Sequence, residues 1–413
     1  MVMKSRLHVP QTPARPGDAP DFSYLELSPA GSVRRPETSA RARDMQALAD
    51  QLVRVLDEKH EAVGPWNPGI EAAELQIALR HLLLTRRFDD RMQRIQRSGK
   101  ISFYMRSLGE EAVSVAMAMA LKPGDMLFPS YRNQGIYVVR GRPIVDLMCQ
   151  LLSNTRDMCK GRQLPVMYHW AAGRIFSISG NLATQFPQAV GWAMAAAIKG
   201  QDDIAVSWLG EGSSAEADFH HALLFASVYK APVILNVVNN QWAISTFQGH
   251  AGGERRSFAA RGPGFGIAGL RVDGNDFLAV HAVTQWAAQR ARTGHGPTLI
   301  EHVTYRAAAH STSDDPARYR PKEDYQGWPL GDPIERLKAH LIALGEWSEE
   351  QHQALAAELE AHVASSWKEA VSHGTLTEPP RLDPRLMFED VFKEMPPHLQ
   401  KQEAQMRAEL EQA

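Results

Sequence analysis

The sequence predicts an α/β fold, a largely parallel sheet flanked by helices, with an extended N-terminal arm and a helical C-terminal part. Three observations predict it. Short apolar runs alternate with helical patterns through the middle of the chain, as in a parallel sheet fed by crossover helices. Those runs are apolar at successive positions, which suits strands buried on both faces. The chain of 413 residues exceeds the roughly 250–300 at which single cores stop growing. A large domain with appended parts is therefore expected: an arm over 1–45, an α/β domain over 46–330, and a helical region over 331–413 packed on the same domain.

The arm is rich in Pro, Arg and Ser without periodicity, and such a segment becomes ordered only by lying on another surface. From Glu71 to about Arg97, apolar residues recur at helical spacing with charges opposite, the pattern of an amphipathic helix. The stretch "GKISFYMRSLGEEAVSVAMAMALKPGD" then reads as a loop, a small-residue helix and a Pro-Gly-Asp turn. Strands are expected at Met126 to Ser130, Ile204 to Leu209, Val233 to Val238, Gly269 to Val272 and Thr298 to Val303. The helix in "PQAVGWAMAAAIKG" carries Gly191, Ala193, Ala195, Ala196 and Ala197, which permit close approach either inside the chain or across a subunit interface. After Arg306 a polar stretch of Ser, Asp, Pro and Gly is longer than ordinary connections, which marks it as functional or disordered. Asp332-Pro333 and the Ser348/Gln351 pair then signal two helix starts, and the tail ends in another charged helix.

Composition narrows the function classes. With 44% hydrophobic and 22% charged residues the chain is an ordinary globular protein, and a net charge of −2 gives no electrostatic footprint for nucleic acid. Cys149 and Cys159 have neither zinc-site spacing nor disulfide density, which fits a reducing compartment. No apolar run reaches the length of a membrane span. The first twenty residues lack the apolar segment of a secretory signal, so a cytoplasmic location is expected ahead of a mitochondrial matrix one.

The chemistry begins in "SWLGEGSSAEAD". Gly210, Gly212 and Ala215 fit the G-x-G-x-x-G/A turn of dinucleotide sites, but Glu211 lies where a bare pyrophosphate would be repelled. The acid that should hold a ribose is also missing: the next strand, "PVILNVVNN", ends in two asparagines. Strand ends of a parallel sheet gather at one edge, so Glu211 and Asn240 can converge although about thirty positions separate them. A carboxylate and an amide oxygen beside a ring of backbone N–H groups suit a hard divalent cation holding a diphosphate. The residues alone also allow a plain tight turn with Glu211 solvated.

These motifs carry a resemblance. "GEGSSAEAD" through "VVNNQWAIST" is similar to the thiamine-diphosphate motif. With "FYMRSLGEEA", "KGRQLPVMY", "SISGNLATQFPQAVG", "RVDGNDFLAV" and "HSTSDDPARYR", the chain resembles the alpha subunit of the branched-chain 2-oxo acid dehydrogenase E1 component from about residue 70 to "FEDVFKEMPPHL". The resemblance implies a thiamine-diphosphate-binding fold and particular roles. Glu211, the Asn240 side chain and the Trp242 carbonyl would hold magnesium. Gly210, Gly212 and Ser213 would form the diphosphate turn, with Tyr131 and Arg132 reaching the same phosphates. Gly180 and Leu182 would contact the aminopyrimidine. Ser179, the carbonyl of Asn181, Thr184 and Gln185 would bind potassium. His310 would face the cofactor phosphate and the reacting centre, in a loop ordered by Arg306, Asp314, Tyr319 and Arg320. His220, His221 and His169 are expected to be packing or surface residues.

The implied reaction is oxidative decarboxylation of branched-chain 2-oxo acids, with acyl transfer to the lipoyl group of the E2 core. In this family the glutamate that hydrogen-bonds the aminopyrimidine lies on a separate E1 beta subunit. The chain should therefore be inactive alone and assemble as an alpha2-beta2 heterotetramer. Two departures stand out. Val238 replaces an arginine that mitochondrial relatives use on phosphate, and Ser311 aligns with a serine phosphorylated in those relatives, although no kinase is expected to act here. A pyruvate-type E1 alpha subunit shares the cofactor motif; a nicotinamide-dependent dehydrogenase and a non-catalytic assembly subunit are the more distant readings.

Overall fold

The computed structural model describes residues 7–412. Its centre is a six-stranded sheet in the order β1-β7-β8-β4-β3-β2, every pairing parallel. The strands are β1 (Leu52–Val53), β2 (Met126–Phe128), β3 (Ala205–Gly210), β4 (Val233–Asn239), β7 (Ala268–Asp273) and β8 (Thr298–Val303), and β5 (Trp242–Ala243) and β6 (Thr246–Phe247) form a separate hairpin. The helices are α1 (Ala72–Arg97), α2 (Glu111–Ala120), α3 (Gln134–Val139), α4 (Ile144–Leu152), α5 (Gln185–Ile198), α6 (Ala217–Tyr229), α7 (Arg261–Gly264), α8 (Phe277–Arg292), α9 (Pro333–Ala343), α10 (Glu349–Ser372) and α11 (Pro397–Gln412).

Every position of β4 and β8 is buried, as suits the mostly apolar strands at the centre of a parallel sheet, and their polar members pair inside it, His302 with Asn236 and Glu301 with Asn239. On one face α2 and α8 pack together against the sheet, and on the other α5 and α6 do so. Helix α1 buries Leu75, Leu79, Leu82, Phe88 and Met92 at helical spacing and packs on α2, α9 and α10. Asp332 caps α9 through the backbone N–H groups of Ile334 and Glu335, and Ser348 caps α10 through that of Gln351.

The five expected strands are present; Thr298–Val303 keeps its expected bounds and the others differ by at most two residues at an end. Three further strands carry no periodic signal because each is two residues long: β1, recruited by pairing with Arg271 and Val272 of β7, and the β5–β6 hairpin. Of the small residues of helix α5, Ala193 and Ala196 are buried inside the chain while Gly191, Ala195 and Ala197 face outward.

The described part of the arm, residues 7–45, reaches the carboxyl edge of its own sheet through Phe22 and Tyr24. Phe22 packs edge-on against Tyr305 and Trp328, Tyr24 packs on Phe247, and the Tyr24 hydroxyl donates to Gln241 Oε1 at 3.1 Å. Register aligns Gly210 with Val238 and Asn239 with Val303, so the ends of β3, β4 and β8 form one edge. Ligands of open α/β sheets bind at such an edge.

Candidate active site

At the end of β3 the chain leaves Gly210 and makes a tight turn over Glu211–Ala215 before α6. The two glycines serve different needs. A Cβ on Gly210 would meet nothing within 4 Å, whereas one on Gly212 would stand 2.4 Å from the Ala243 Cβ. The turn points Glu211 inward to 1% exposure. Its Oε2 accepts from the Asn240 backbone N–H at 3.3 Å, and its Oε1 is buried without a partner. Burial pushes this carboxyl up to about 7, against the pull of Arg306 and with a further push from Glu110.

Asn239 and Asn240 end β4, and their side chains part. Asn239 donates to Glu301 at 2.8 Å on the arm side of the edge. The Asn240 side chain turns to Trp242 and Glu110, its Oδ1 accepting from the Trp242 N–H at 3.3 Å and its Nδ2 donating to Glu110 at 2.8 Å. Between Asn240 and Trp242 sits Gln241 in the left-handed region, φ 76°, held by bonds from its Nε2 to the carbonyls of Asn239 and Thr304. A non-glycine residue in that conformation costs on the order of 1–3 kcal/mol and persists where its surroundings over-determine it. The Trp242 carbonyl accepts from Arg306 at 2.8 Å; a carbonyl oxygen has two lone pairs, so one is left for a cation.

Tyr131 and Arg132 follow β2. The Arg132 fork is largely committed to protein acceptors: Nη1 donates to the Arg106 carbonyl and Nη2 to the His310 carbonyl, each at 2.6 Å, while Nη2 also faces His310 Nδ1 at 3.1 Å. A guanidinium only donates, so Nδ1 accepts and the neutral ring carries its proton on Nε2. Burial, then Arg132 and Arg306, lowers the His310 pKa to about 3. The Tyr131 ring stands edge-on to His310 at 6.0 Å. The long polar loop is ordered by one network: the His310 N–H and the Tyr319 hydroxyl both donate to Asp314, Arg306 donates to the Tyr319 hydroxyl, and Arg320 donates to the Arg306 carbonyl.

On the opposite wall, the Asn181 N–H donates to Ser179 Oγ at 3.1 Å and the Thr184 hydroxyl donates to the Asn181 carbonyl at 3.0 Å. Gln185 starts α5 and donates Nε2 to the Trp208 carbonyl at 2.7 Å, leaving its buried Oε1 without a partner. Ala183 takes φ 64° here, while Gly180 and Leu182 face outward.

These walls enclose a cavity of about 450 Å³ lined by Met105, Tyr131, Arg132, Met167, Gly180, Leu182, Gly210 to Ser213, Asn240, Trp242, Ile244 and His310. A smaller one of about 30 Å³ adjoins it, bounded by Glu110, Ser179, Asn181, Gln185, Val238 and Asn240. The residues singled out in the sequence are therefore brought to one place, except that Thr184 lines neither cavity and touches the site through Asn181. Among the described residues no group of three or more His, Cys, Asp or Glu is arranged to hold a metal ion, so a cation here needs amide and carbonyl oxygens. Val238 is nearly buried and lines the smaller cavity, so no guanidinium enters from that position.

Sequence reasoning missed Glu110, which is 5% exposed and has its pKa pushed up to about 7 by burial, against Arg132 and Arg306. The only signal was the doubled acid of "GEEA", and its second member, Glu111, is a structural residue paired with Arg86 at 2.7 Å. Of the other histidines, His220 and His221 lie on α6 as expected, and His169 has a neighbour the sequence did not suggest, with Cys159 Sγ 3.4 Å from its Nδ1.

Comparison with known proteins places this geometry. A family model described as dehydrogenase E1 component matches residues 80–378, and one described as 2-oxoisovalerate dehydrogenase E1 alpha subunit N terminal matches residues 4–43. The chain is 59% identical over 401 residues to the 2-oxoisovalerate dehydrogenase subunit alpha of Pseudomonas aeruginosa, covering 97% of this chain and 98% of that one. It is 37% identical over 367 residues to the mitochondrial 2-oxoisovalerate dehydrogenase subunit alpha of Homo sapiens, covering 87% and 80%. It is 39% identical over 335 residues to the 3-methyl-2-oxobutanoate dehydrogenase subunit alpha of Mycobacterium tuberculosis, covering 80% and 85%.

Proposed function

The chain belongs to the dehydrogenase E1 component family, and we propose that it is the alpha subunit of a branched-chain 2-oxo acid dehydrogenase. Its reaction is the oxidative decarboxylation of 3-methyl-2-oxobutanoate and related branched-chain 2-oxo acids. The relatives' names favour this substrate class over pyruvate, and the apolar Met105, Met167, Leu182 and Ile244 in the cavity wall suit a branched aliphatic side chain.

The residues present fit thiamine diphosphate held through magnesium. The observation that carries this is Glu211: a carboxylate oxygen buried without a partner is expensive unless a cation completes it. Glu211, Asn240 and the Trp242 carbonyl would hold magnesium, and Gly210, Gly212 and Ser213 would offer backbone N–H groups to the diphosphate. Bound there, thiamine diphosphate would supply the electron sink for loss of carbon dioxide from a 2-oxo acid. Arg132 holds His310, which lines the cavity, in the tautomer with its proton on Nε2, a hydrogen-bond donor for phosphate or for the substrate's developing charge. The orphaned Gln185 oxygen, with Ser179, Thr184 and the Asn181 carbonyl, offers the oxygen ligands of a potassium site.

The partners we assign are an E1 beta subunit in an alpha2-beta2 heterotetramer, supplying the aminopyrimidine's glutamate, and a lipoyl-bearing E2 core that takes the acyl group. Leu182 and Ile244 stand exposed at the cavity, as apolar residues awaiting a covering subunit would. The cytoplasm is the location we assign. It is supported by the high identity to a bacterial protein, and no described helix is long and apolar enough to cross a membrane.

Calorimetric titration of the chain, alone and with its beta partner, with thiamine diphosphate tests the reading. Binding should require magnesium and be lost in Glu211→Ala; magnesium-independent binding, or binding that survives the substitution, would overturn it.

A further inference from the structure

The geometry points to Glu110 as a positioning residue that locks the Asn240 amide with its nitrogen on Glu110 and its oxygen on the opposite side, left to serve the cation site. An asparagine side chain can present either end, and only the oxygen is a cation ligand. A half-turn about its last torsion would aim an NH2 group at the cation. Glu110 decides between the two, because its Oε1 is placed as an acceptor for the amide nitrogen. Its Oε1 takes the Asn240 Nδ2 hydrogen at 2.8 Å, while Asn240 Oδ1 lies on the side of the Trp242 N–H.

The position of Glu110 is itself fixed. It stands immediately before α2, and its backbone N–H is tied to the Ser107 carbonyl at 2.8 Å. Next to it, Glu111 anchors the helix start through the Gly109 N–H and Arg86. Arg132 Nε lies 3.9 Å from the same Glu110 oxygen. One carboxylate thus stands between the amide assigned to the cation and the guanidinium that holds His310, fixing both before a cofactor arrives. Partners of this kind behind metal ligands govern affinity as well as geometry.

The inference rests on the magnesium reading of the site, and its test separates the two. In the chain assembled with its beta subunit, the magnesium concentration for half-saturation is read from thiamine-diphosphate quenching of tryptophan fluorescence, with the melting temperature measured in parallel. Glu110→Ala should raise that concentration roughly 10- to 100-fold, with saturation recovered at high magnesium. Glu110→Gln, which keeps an acceptor for Asn240, should recover most of the loss. If Ala and Gln are equally impaired, only charge matters and the amide lock is wrong. If both match the unsubstituted protein in magnesium dependence while melting lower, Glu110 is a fold residue and the inference fails. If the unsubstituted protein shows no magnesium dependence, the magnesium reading itself fails and takes the inference with it.

Discussion

Gly212→Ala isolates the contact between the diphosphate turn and the segment after the double asparagine. The new methyl group would stand 2.4 Å from the Ala243 Cβ, where carbon atoms prefer about 3.5–4.0 Å, so the two segments must separate by about an ångström. Forcing a methyl group into such a contact costs about 1–3 kcal/mol. The strain falls on Glu211 and Trp242, the immediate neighbours of the two clashing residues and both assigned to the cation. At 1.4 kcal/mol per factor of ten, full transmission would weaken magnesium-dependent cofactor binding about 5- to 150-fold. Titration calorimetry with thiamine diphosphate at fixed magnesium measures this, with melting temperature recorded beside it. Two controls sharpen the reading. Adding Ala243→Gly removes the clash and should restore most of the affinity, and the double-mutant cycle isolates the pairwise term. Gly210→Ala should melt like the parent, since its Cβ meets nothing, yet bind cofactor less well because that Cβ enters the cavity wall. Gly212→Ala binding within twofold of the parent, at an unchanged melting temperature, would refute the reasoning.

Three further outcomes follow from the same geometry. By NMR, His310 should stay neutral down to about pH 5, because burial and two guanidinium groups hold its pKa at about 3. Since its unfolded pKa is near 6.5, the stability tied to its neutral form is full above that value and lost as pH falls from there toward 3; an ordinary titration near pH 6.5 would contradict the burial account. Arg132→Lys should lower cofactor affinity by roughly ten- to a hundredfold, because an ammonium cannot span the Arg106 and His310 carbonyls together, and it should loosen the loop as read by proteolysis; unchanged affinity would remove Arg132 from the site. Tyr24→Phe deletes the arm's bond to Gln241, worth about 1 kcal/mol, and should weaken cofactor binding up to about fivefold with the melting temperature little changed; no effect would mean that the arm covers the edge without steadying the turn.

How much of this was legible in the sequence depended on periodicity and on chain distance. Helix α1 and the five longer strands carry repeating or mostly apolar patterns that one face of a helix or a buried sheet demands. Strand β1 and the β5–β6 hairpin are two residues per strand, held by what lies beside them, so nothing local announces them. The meeting of Glu211 with Asn240 could be foreseen because a parallel sheet collects its strand ends at one edge. The pairing of Glu110 with Asn240 could not, since it spans 130 positions and Glu110 reads as an ordinary helix-start acid. The polar loop showed its length but not its order, which arises from Arg306 and Arg320 returning to carbonyls of their own and neighbouring segments. The arm's composition suggested disorder unless it found a surface; Phe22 and Tyr24 find one on Tyr305, Trp328 and Phe247 of the same chain.

The central claim is that this chain is the diphosphate-holding half of a branched-chain 2-oxo acid dehydrogenase. Carbon dioxide release, measured with thiamine diphosphate and magnesium on 3-methyl-2-oxobutanoate, the oxo acids of leucine and isoleucine, and pyruvate, tests it most directly, using the chain alone and joined to its beta subunit. The account predicts no turnover by the chain alone and, in the assembled enzyme, turnover of the three branched acids well above that of pyruvate. Turnover by the single chain, or a preference for pyruvate in the assembly, would contradict it.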